Sequence, residues 1–350
     1  MVTQQVVAAP SQASMFLVLT VHEGSEDAIR DFLPGLSDLV KSVSFRTPQD
    51  ELMCVAGIGA SLWSRLFAVP PPTHLTELAP IVGDRHTAVS TPGDLLFHLR
   101  AGNLGMCFEL SKLVMQRLAD HVTVEDEVHG FKFFDERDLL GFVDGTANPE
   151  GQAAQDAVVV GAEDPDYAGG SYVIVQKYLH DMGAWDRLSV EEQERVIGRS
   201  KLEDVEMPDD VKPTNSHVAL NTVTDENGEE QEIFRLNMPF GEVGAQEFGT
   251  YFIGYAADPG ITEEMLRRMF IGNPAGNHDR ILDFSTAVTG SKYFVPSVDL
   301  LDDIDSLAAA DAGAPAVSQQ QVVEDNSVTT ADQPSPISDS SGSLGIGSLR

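Results

Sequence analysis

Short runs of β-branched, aromatic and other apolar residues recur along the chain and predict β-strands. Apolar residues at helical spacing between these runs predict amphipathic helices. The predicted strands are Met15–Val21, Leu52–Ala56, Asp94–Arg100, Val122–Asp126 continuing or pairing with Gly130–Phe134, Ser171–Tyr178, Ile233–Asn237, Thr250–Tyr255 and Lys292–Val295. The predicted helices are Glu23–Val43, Ala60–Phe67, and three that are capped by Asn103, Ser189 and Thr262 and run to about Asp120, Lys201 and Phe270.

The order strand–helix–strand, strand–helix–strand occurs twice. This predicts an α+β fold of two halves, each with an antiparallel sheet and helices to one side. The N-terminal half is expected over residues 15–143 and the C-terminal half over residues 144–300, preceded by a flexible arm at residues 1–14.

The composition changes at about Leu301. Aromatic residues vanish, and Ala, Ser, Gln, Asp, Gly and Pro dominate, which predicts a disordered acidic linker over residues 301–342. Apolar residues return in Ser343-Leu-Gly-Ile-Gly-Ser-Leu-Arg350. Such an ending is typical of a segment presented to a partner protein, although a frayed terminus has the same composition.

Net charge restricts the classes of partner, and cysteine content indicates the cellular compartment. The net charge is -33, so the surface repels nucleic acid phosphates and anionic lipids. No apolar run reaches the roughly 18 residues of a membrane span, and no basic segment of a secretory signal stands at the start. The two cysteines, Cys54 and Cys107, lie in apolar stretches and are interpreted as reduced thiols, which favours a cytoplasmic protein.

The segment Asp138-Leu-Leu-Gly-Phe-Val-Asp-Gly-Thr-Ala-Asn-Pro149 is the most distinctive. By itself, Asp144-Gly145 after an apolar run is typical of a strand that ends in a turn. No histidine cluster has zinc-like spacing, and neither the Gly-x-Gly-x-x-Gly nor the P-loop motif is present, so nucleotide-binding functions lack support.

Together with later segments, Gly141-Phe-Val-Asp-Gly145 resembles the Gly-x-x-Asp-Gly signature of the dye-decolorizing peroxidases. Order and spacing match that family across residues 12–300, and the B subfamily most of all. The other matching segments are Asn215–Asn221, which resembles the segment of the proximal histidine, Ile233–Phe240, which resembles that of the distal arginine and asparagine, Gly249–Tyr255 and Asp283–Ala287.

The resemblance implies two ferredoxin-like halves in a dimeric α+β barrel-like arrangement, with haem b (iron protoporphyrin IX) in the C-terminal half. His217 would be the proximal axial ligand of the iron. The second ring nitrogen of such a histidine needs an acceptor, and a carboxylate makes the ligand more electron-donating. By resemblance, Asp279 is the first choice for this acceptor and Asp283 the second.

The remaining site residues also come from the resemblance. Asp144 would relay the proton of hydrogen peroxide, and Arg235 would supply positive charge where the leaving oxygen becomes negative. Asn237 would orient a water or the peroxide, although a structural amide at a strand edge is the alternative. Arg199 would pair with a haem propionate, and Phe252 would contact the haem.

The implied reaction reduces hydrogen peroxide and oxidises dyes or other bulky phenolic or aromatic donors through a high-valent form of the iron. The tail resembles the tag that docks cargo enzymes in an encapsulin shell, which implies a cytoplasmic protein inside this compartment. The resemblance also implies dimers that assemble into hexamers. The alternatives are a chlorite dismutase-like protein, against which the Asp144-Gly145 and Arg235-x-Asn237 motifs argue, and a haem-binding or iron-releasing protein.

Two further features of the family are weighed on single residues. Some relatives bind manganese through three acids, and the matching residues here are Ala147, Glu206 and Glu230, so a tight manganese site is not expected. Trp185 and Tyr251 are candidates for carrying electrons from bulky donors, but core packing is favoured for both.

Overall fold

The computed structural model describes residues 2–308, and it contains fourteen strands within that range. The predicted targeting peptide and most of the predicted linker lie outside the described residues. The strands are β1 (Ala13–Val21), β2 (Met53–Gly59), β3 (Ile81–Val82), β4 (Thr87–Ala88), β5 (Leu95–Ala101), β6 (Val122–Phe131), β7 (Ser171–His180), β8 (Val223–Thr224), β9 (Glu230–Gln231), β10 (Phe234–Arg235), β11 (Met238–Glu242), β12 (Glu247–Ala256), β13 (Ser285–Ala287) and β14 (Ser291–Val295).

Eleven α-helices lie in the same range, with short 3-10 turns that include Leu33–Gly35 and Arg280–Asp283. None of these helices is long and apolar enough to cross a membrane. The helices are α1 (Glu26–Phe32), α2 (Leu36–Ser44), α3 (Ala60–Leu66), α4 (Leu104–Leu118), α5 (Gly151–Val158), α6 (Met182–Trp185), α7 (Val190–Ile197), α8 (His217–Asn221), α9 (Pro259–Phe270), α10 (Val298–Asp302) and α11 (Ile304–Ala308).

The main sheet confirms two ferredoxin-like halves. Its order is β10-β12-β7-β14-β2-β5-β1-β6, with β11 also paired to β12 and β13 to β7, and the described pairings are antiparallel. Counted within each half, both halves have the strand order 2-3-1-4, as the βαββαβ pattern requires. The halves join where Tyr293 and Phe294 of β14 pair with Gly59 and Ile58 of β2.

The sheet curls so that its inner faces pack on each other. The ring of Phe16 from β1 stacks on Tyr251 from β12 with centroids 4.1 Å apart, and Gly130 at the β6 edge lies directly against Met238 of β11. Because side chains alternate across a strand, the neighbours of Tyr251 on β12, Thr250 and Phe252, face outwards. The outer face of the C-terminal half is therefore the one on which α9 packs.

Several sequence predictions need correction at their ends. The predicted helix Glu23–Val43 is split, because Pro34-Gly35 converts its middle to a 3-10 turn. Val122–Phe131 is one strand, with a register shift opposite Val18 and Leu19. The helix assigned to a Thr262 cap begins at Pro259, and the Asp258 side chain accepts from Gly260 N instead.

The predicted arm and the start of the predicted linker are ordered parts of the fold, contrary to expectation. Gln4 and Val6 are buried, and Ala13 and Ser14 begin β1. The Gln4 amide donates to the carbonyls of Ala56 (3.0 Å) and Pro296 (2.9 Å) and accepts from Ala56 N (2.8 Å). Helix α10 extends to Asp302 and α11 covers Ile304–Ala308, with Leu301 and Ile304 buried, because apolar residues at helical spacing extend past the last strand.

Replacing Gln4 with alanine tests whether this arm contributes to the fold. Q4A removes three hydrogen bonds and leaves buried backbone groups of Ala56 and Pro296 unpaired, so we expect a loss of about 1–3 kcal/mol in the free energy of unfolding, measured by urea denaturation. The matched control is Gln5, whose side chain is exposed. Q5A is expected to stay within about 0.5 kcal/mol of the unchanged chain. Equal effects of the two variants would contradict an ordered arm.

Candidate active site

A cavity of about 240 Å³ lies between the outer face of the C-terminal sheet, helices α8 and α9, and the loop that carries the Gly141–Gly145 motif. Much of its wall is apolar, which suits a flat, hydrophobic ligand with a few polar anchors. The apolar lining includes Leu140, Phe142, Phe252, Leu266, Met269 and Ile281. Phe252, a site residue implied by the resemblance, is thus part of this lining.

His217 enters this cavity from the first position of α8. Ser216 caps the helix by accepting from Ala219 N, which fixes the direction of the following residue. The Nδ1 atom of His217 lies 2.7 Å from Asp279 Oδ2, and its Nε2 has no hydrogen-bond partner among the described residues. The pairing leaves Nε2 as the free nitrogen of a residue on the cavity wall.

Asp279 is fully buried and is held by several donors. Its Oδ1 accepts from Ile281 N at 3.0 Å, because Asp279 caps the 3-10 turn Arg280–Asp283, and its Oδ2 also lies 3.4 Å from Asn221 Nδ2. Burial alone would lower the pKa of His217, but the charge of Asp279 and its hydrogen bond raise it, and the net shift is upward. A carboxylate in this position fixes both the tautomer and the orientation of an imidazole.

Asp283, the second choice for this acceptor, lies elsewhere. Its Oδ1 is 3.3 Å from the Nε2 atoms of both His86 and His278, and 3.8 Å from Arg85 Nη1. The structure therefore brings Asp279, and not Asp283, to His217.

Asp144 lies on a turn whose backbone conformation favours glycine at two positions. Gly141 and Gly145 have φ angles of +94° and +88°, and a Cβ atom on Gly141 would come within 2.5 Å of Lys201 Cε. These two positions explain physically why glycines bracket the motif. Asn237 Nδ2 donates to Asp144 Oδ1 at 3.2 Å, and Asn237 Oδ1 accepts from Ile253 N at 3.1 Å. Asn237 therefore positions Asp144 against β12.

Arg235 lies on β10, and its backbone is held by Asn148 of the motif segment. Asn148 Nδ2 donates to Arg235 O at 2.7 Å, and Arg235 N donates to Asn148 Oδ1 at 2.9 Å. Among residues 2–308, neither Arg235 nor Asp144 has a salt bridge within 4 Å, and the buried Nε of Arg235 has no hydrogen-bond partner. The site thus keeps a free cation and a free carboxylate on one cavity.

A second cavity of about 270 Å³ borders the same polar residues. Asp144, Gly145, Arg235 and Asn237 line both cavities, and the second one also reaches Ser14 near the start of β1. The acid and the guanidinium therefore stand where two spaces meet, so a small molecule can approach them without crossing the apolar part of the first cavity.

Arg199 lies at the cavity wall but is already paired. Its Nε donates to Asp204 Oδ1 at 2.8 Å, and its Nη1 is 3.5 Å from Glu206 Oε2. Glu206 also pairs with Lys212. Glu206 is therefore paired with two cations, and Ala147 at the same wall offers no carboxylate.

Two polar residues of the wall were not anticipated. Asp138 is partly exposed at the cavity wall, and desolvation raises its pKa to about 7, although its Oδ1 accepts from Phe142 N. Burial lowers the pKa of His180 to about 4, and both of its ring nitrogens are occupied, by Ser285 and Thr250. His180 is therefore neutral at ordinary pH, and, unlike His217, it has no ring nitrogen available for a ligand in the cavity. No sequence pattern marked these contacts, since they join distant segments.

The two aromatic candidates lie in cores. Tyr251 is 1% exposed and stacks on Phe16 inside the sheet. Trp185 is equally buried, and its Nε1 donates to Leu140 O at 2.9 Å. Core packing, the favoured interpretation, agrees with both positions.

Comparisons with known proteins find similar chains over nearly the whole length of this one. The chain is 55% identical to a dye-decolorizing peroxidase of Rhodococcus erythropolis over 349 residues, which cover 100% of this chain and 97% of that protein. The encapsulated DyP-type peroxidase of Mycobacterium smegmatis matches with a TM-score of 0.85 and 57% identity, over 86% of this chain and 98% of that one. A DypB variant of Rhodococcus jostii RHA1 in complex with haem matches with a TM-score of 0.84 and 55% identity, over 86% and 98%.

Family models cover nearly all of the folded part of the chain. The model of the Dyp-type peroxidase N-terminal domain matches residues 3–132, and that of the C-terminal domain matches residues 135–300. Together with the order of the motifs and the strand order, these matches show that the chain belongs to the Dyp-type peroxidase family.

Proposed function

We propose that the chain binds haem b in the cavity of the C-terminal half and uses it to reduce hydrogen peroxide while it oxidises dyes or other bulky aromatic donors. The observation that carries the proposal is one cavity lined by His217, whose Nδ1 is held by Asp279, and by Asp144, Arg235 and Asn237. The haem-containing relative and the family membership support the same cofactor.

The residues present fit a haem. His217 has a free Nε2 on the cavity wall, because Asp279 occupies Nδ1. The apolar wall suits a porphyrin, and Arg199 at the wall can share its charge with a propionate. The unpartnered Nε of Arg235 is a buried donor that gains from an anionic or polar ligand. When bound, haem supplies the iron that accepts the peroxide and the electrons of the donor.

The chain's own residues then transfer the proton and stabilise the developing charge. Asp144, held by Asn237, accepts a proton from the peroxide oxygen that binds and returns it to the oxygen that leaves. Arg235 stabilises the negative charge that develops on the leaving oxygen. Asp279 keeps the Nδ1 proton of His217 and so keeps Nε2 as the ligand atom. A Soret band in the purified chain, and its response to peroxide, distinguish this function from that of an inert haem carrier.

We further propose that residues 343–350 dock the enzyme in an encapsulin shell in the cytoplasm, at the end of the linker. The support is the apolar composition of this segment after an acidic stretch and the encapsulated relative from Mycobacterium smegmatis. Assembly into dimers and hexamers, which the resemblance implies, stays a prediction.

Changing Asp279 to asparagine tests the proximal pair. D279N still offers Oδ1 to Ile281 N but replaces the charged acceptor that faces His217 Nδ1. Loss of such a partner typically costs about 10–100-fold in affinity or activity, so we expect a drop of that size in peroxide turnover by the haem-loaded protein. The exposed Asp38 on α2 is the control, and D38N should match the unchanged chain. Equal turnover of D279N and D38N would remove Asp279 from the site.

Single variants of Asp144 and Arg235 test the distal residues. D144N removes the proton acceptor and R235L the positive charge, so we expect the reaction with peroxide to slow by about 10²–10⁴-fold and about 10²–10³-fold, respectively. Stopped-flow absorbance of the Soret band after mixing with peroxide gives both rates and their order. D135N, in the same loop but exposed, is the control. If neither variant slows this step, the distal assignment is wrong.

Packaging is tested by co-expression with an encapsulin shell protein. We expect the full chain to co-purify with assembled shells, because its apolar residues Leu344, Ile346 and Leu349 can fill a pocket on the shell wall. A chain that lacks residues 343–350, and one in which they are scrambled, should stay outside. Packaging of the scrambled chain at the level of the full one would rule out docking by this segment.

A further inference from the structure

Two histidines and an aspartate from separate segments converge away from the candidate active site. His86 immediately precedes β4, whereas His278 and Asp283 lie between α9 and β13. The Nε2 atoms of both histidines are 3.3 Å from the same oxygen, Asp283 Oδ1. The three side chains are only 23%, 15% and 28% exposed, so the surrounding structure restricts their orientations.

We propose that His86, His278 and Asp283 form a site for a divalent first-row transition-metal ion such as Zn²⁺, separate from the haem cavity. Two imidazole nitrogens and one carboxylate oxygen form a donor set that zinc and its neighbours accept readily. Magnesium and calcium prefer sites made wholly of oxygen. Three protein ligands leave a fourth tetrahedral position for water.

The distances fit such an ion. Ligand atoms about 2.0–2.2 Å from a tetrahedral zinc lie roughly 3.4 Å from one another. The two nitrogen–oxygen distances of 3.3 Å meet this value, and all the ligand atoms lie within 4.8 Å of each other. The two histidine nitrogens are at most 4.8 Å apart, so a movement of about 1.4 Å or less, shared between the two partly exposed rings, completes the triangle. As hydrogen bonds, by contrast, both distances are long.

One cation competes for the site. Arg85 Nη1 lies 3.8 Å from Asp283 Oδ1, and this side chain is 66% exposed. A surface pair of this length contributes little to stability, so the guanidinium can turn into solvent when a metal ion binds. Removing Arg85 is therefore expected to maintain or strengthen metal binding, whereas removing a ligand residue is expected to weaken it.

The site's position gives it a structural consequence. His278 directly precedes Asp279, and Asp283 ends the 3-10 turn that Asp279 caps. A bound ion therefore fastens both ends of the segment that carries Asp279 and ties it to the β3–β4 hairpin through His86. Because haem ligation is assigned to a different histidine, zinc uptake and haem absorbance are separate readouts, and failure of the metal site is distinguishable from failure of the proposed peroxidase function.

The test measures zinc affinity of the full-length, haem-loaded protein by competition with a chromogenic chelator in zinc-buffered solutions. The variants are H86A, D283N and R85A. The control is H129A, which disrupts a one-histidine, one-carboxylate pair with Glu127 at 2.7 Å. The Soret band of each variant reports whether the fold and the haem cavity are intact.

We expect one zinc ion per chain to bind at micromolar or lower free zinc. H86A and D283N should weaken this binding by about tenfold or more. Losing even a residue that only hydrogen-bonds to a metal ligand typically lowers metal affinity by that much. R85A should bind zinc at least as tightly as the unchanged chain does. H129A should have the same zinc affinity as the unchanged chain. No zinc uptake at micromolar free zinc, unchanged affinity in H86A and D283N, or a loss in R85A as large as in H86A would each overturn the proposal.

Discussion

The hydrogen bond between His217 and Asp279 is the contact on which the rest of the site depends. Burying a carboxylate completely costs several kcal/mol unless donors surround it. Asp279 is fully buried, and Ile281 N, His217 Nδ1 and Asn221 Nδ2 supply those donors. Backbone contacts hold the segment in place, from Asp279 N to Met269 O and from Arg280 N to Asn215 O. The imidazole is thus oriented before any ligand binds.

The fold places this pair and the distal residues on one cavity by a simple rule. Each half uses the same strand order, and in the C-terminal half alternate residues of β12 divide between two environments. Tyr251 and Ile253 fill the space between the halves, while Thr250 and Phe252 face the cavity under α9. A large cofactor cavity on the outer face is therefore compatible with a tightly packed interior, because neither uses the other's side chains.

Much of this arrangement could be predicted from the sequence, and the exceptions share a cause. Strands such as Ser171–His180 and the Asn103 cap of α4 follow from local composition, and the motif residues follow from family resemblance. What could not be predicted rests on contacts between distant segments. Gln4 reaching Ala56 and Pro296 orders an arm whose composition indicates a loose one. The His86–Asp283 contact likewise spans 197 positions, so no spacing rule reveals it.

The distal residues are held by amides rather than by opposite charges, and this has a chemical reason. A salt bridge between Asp144 and Arg235 would fix both side chains, but it would also compensate the two charges that the proposed reaction uses. Instead, Asn237 holds the Asp144 side chain, and Asn148 holds the Arg235 backbone through a donor and an acceptor. A neutral amide orients the group that it binds without compensating the charge of that group. In the proposed reaction, the carboxylate can then accept a proton and the guanidinium can stabilise an anion.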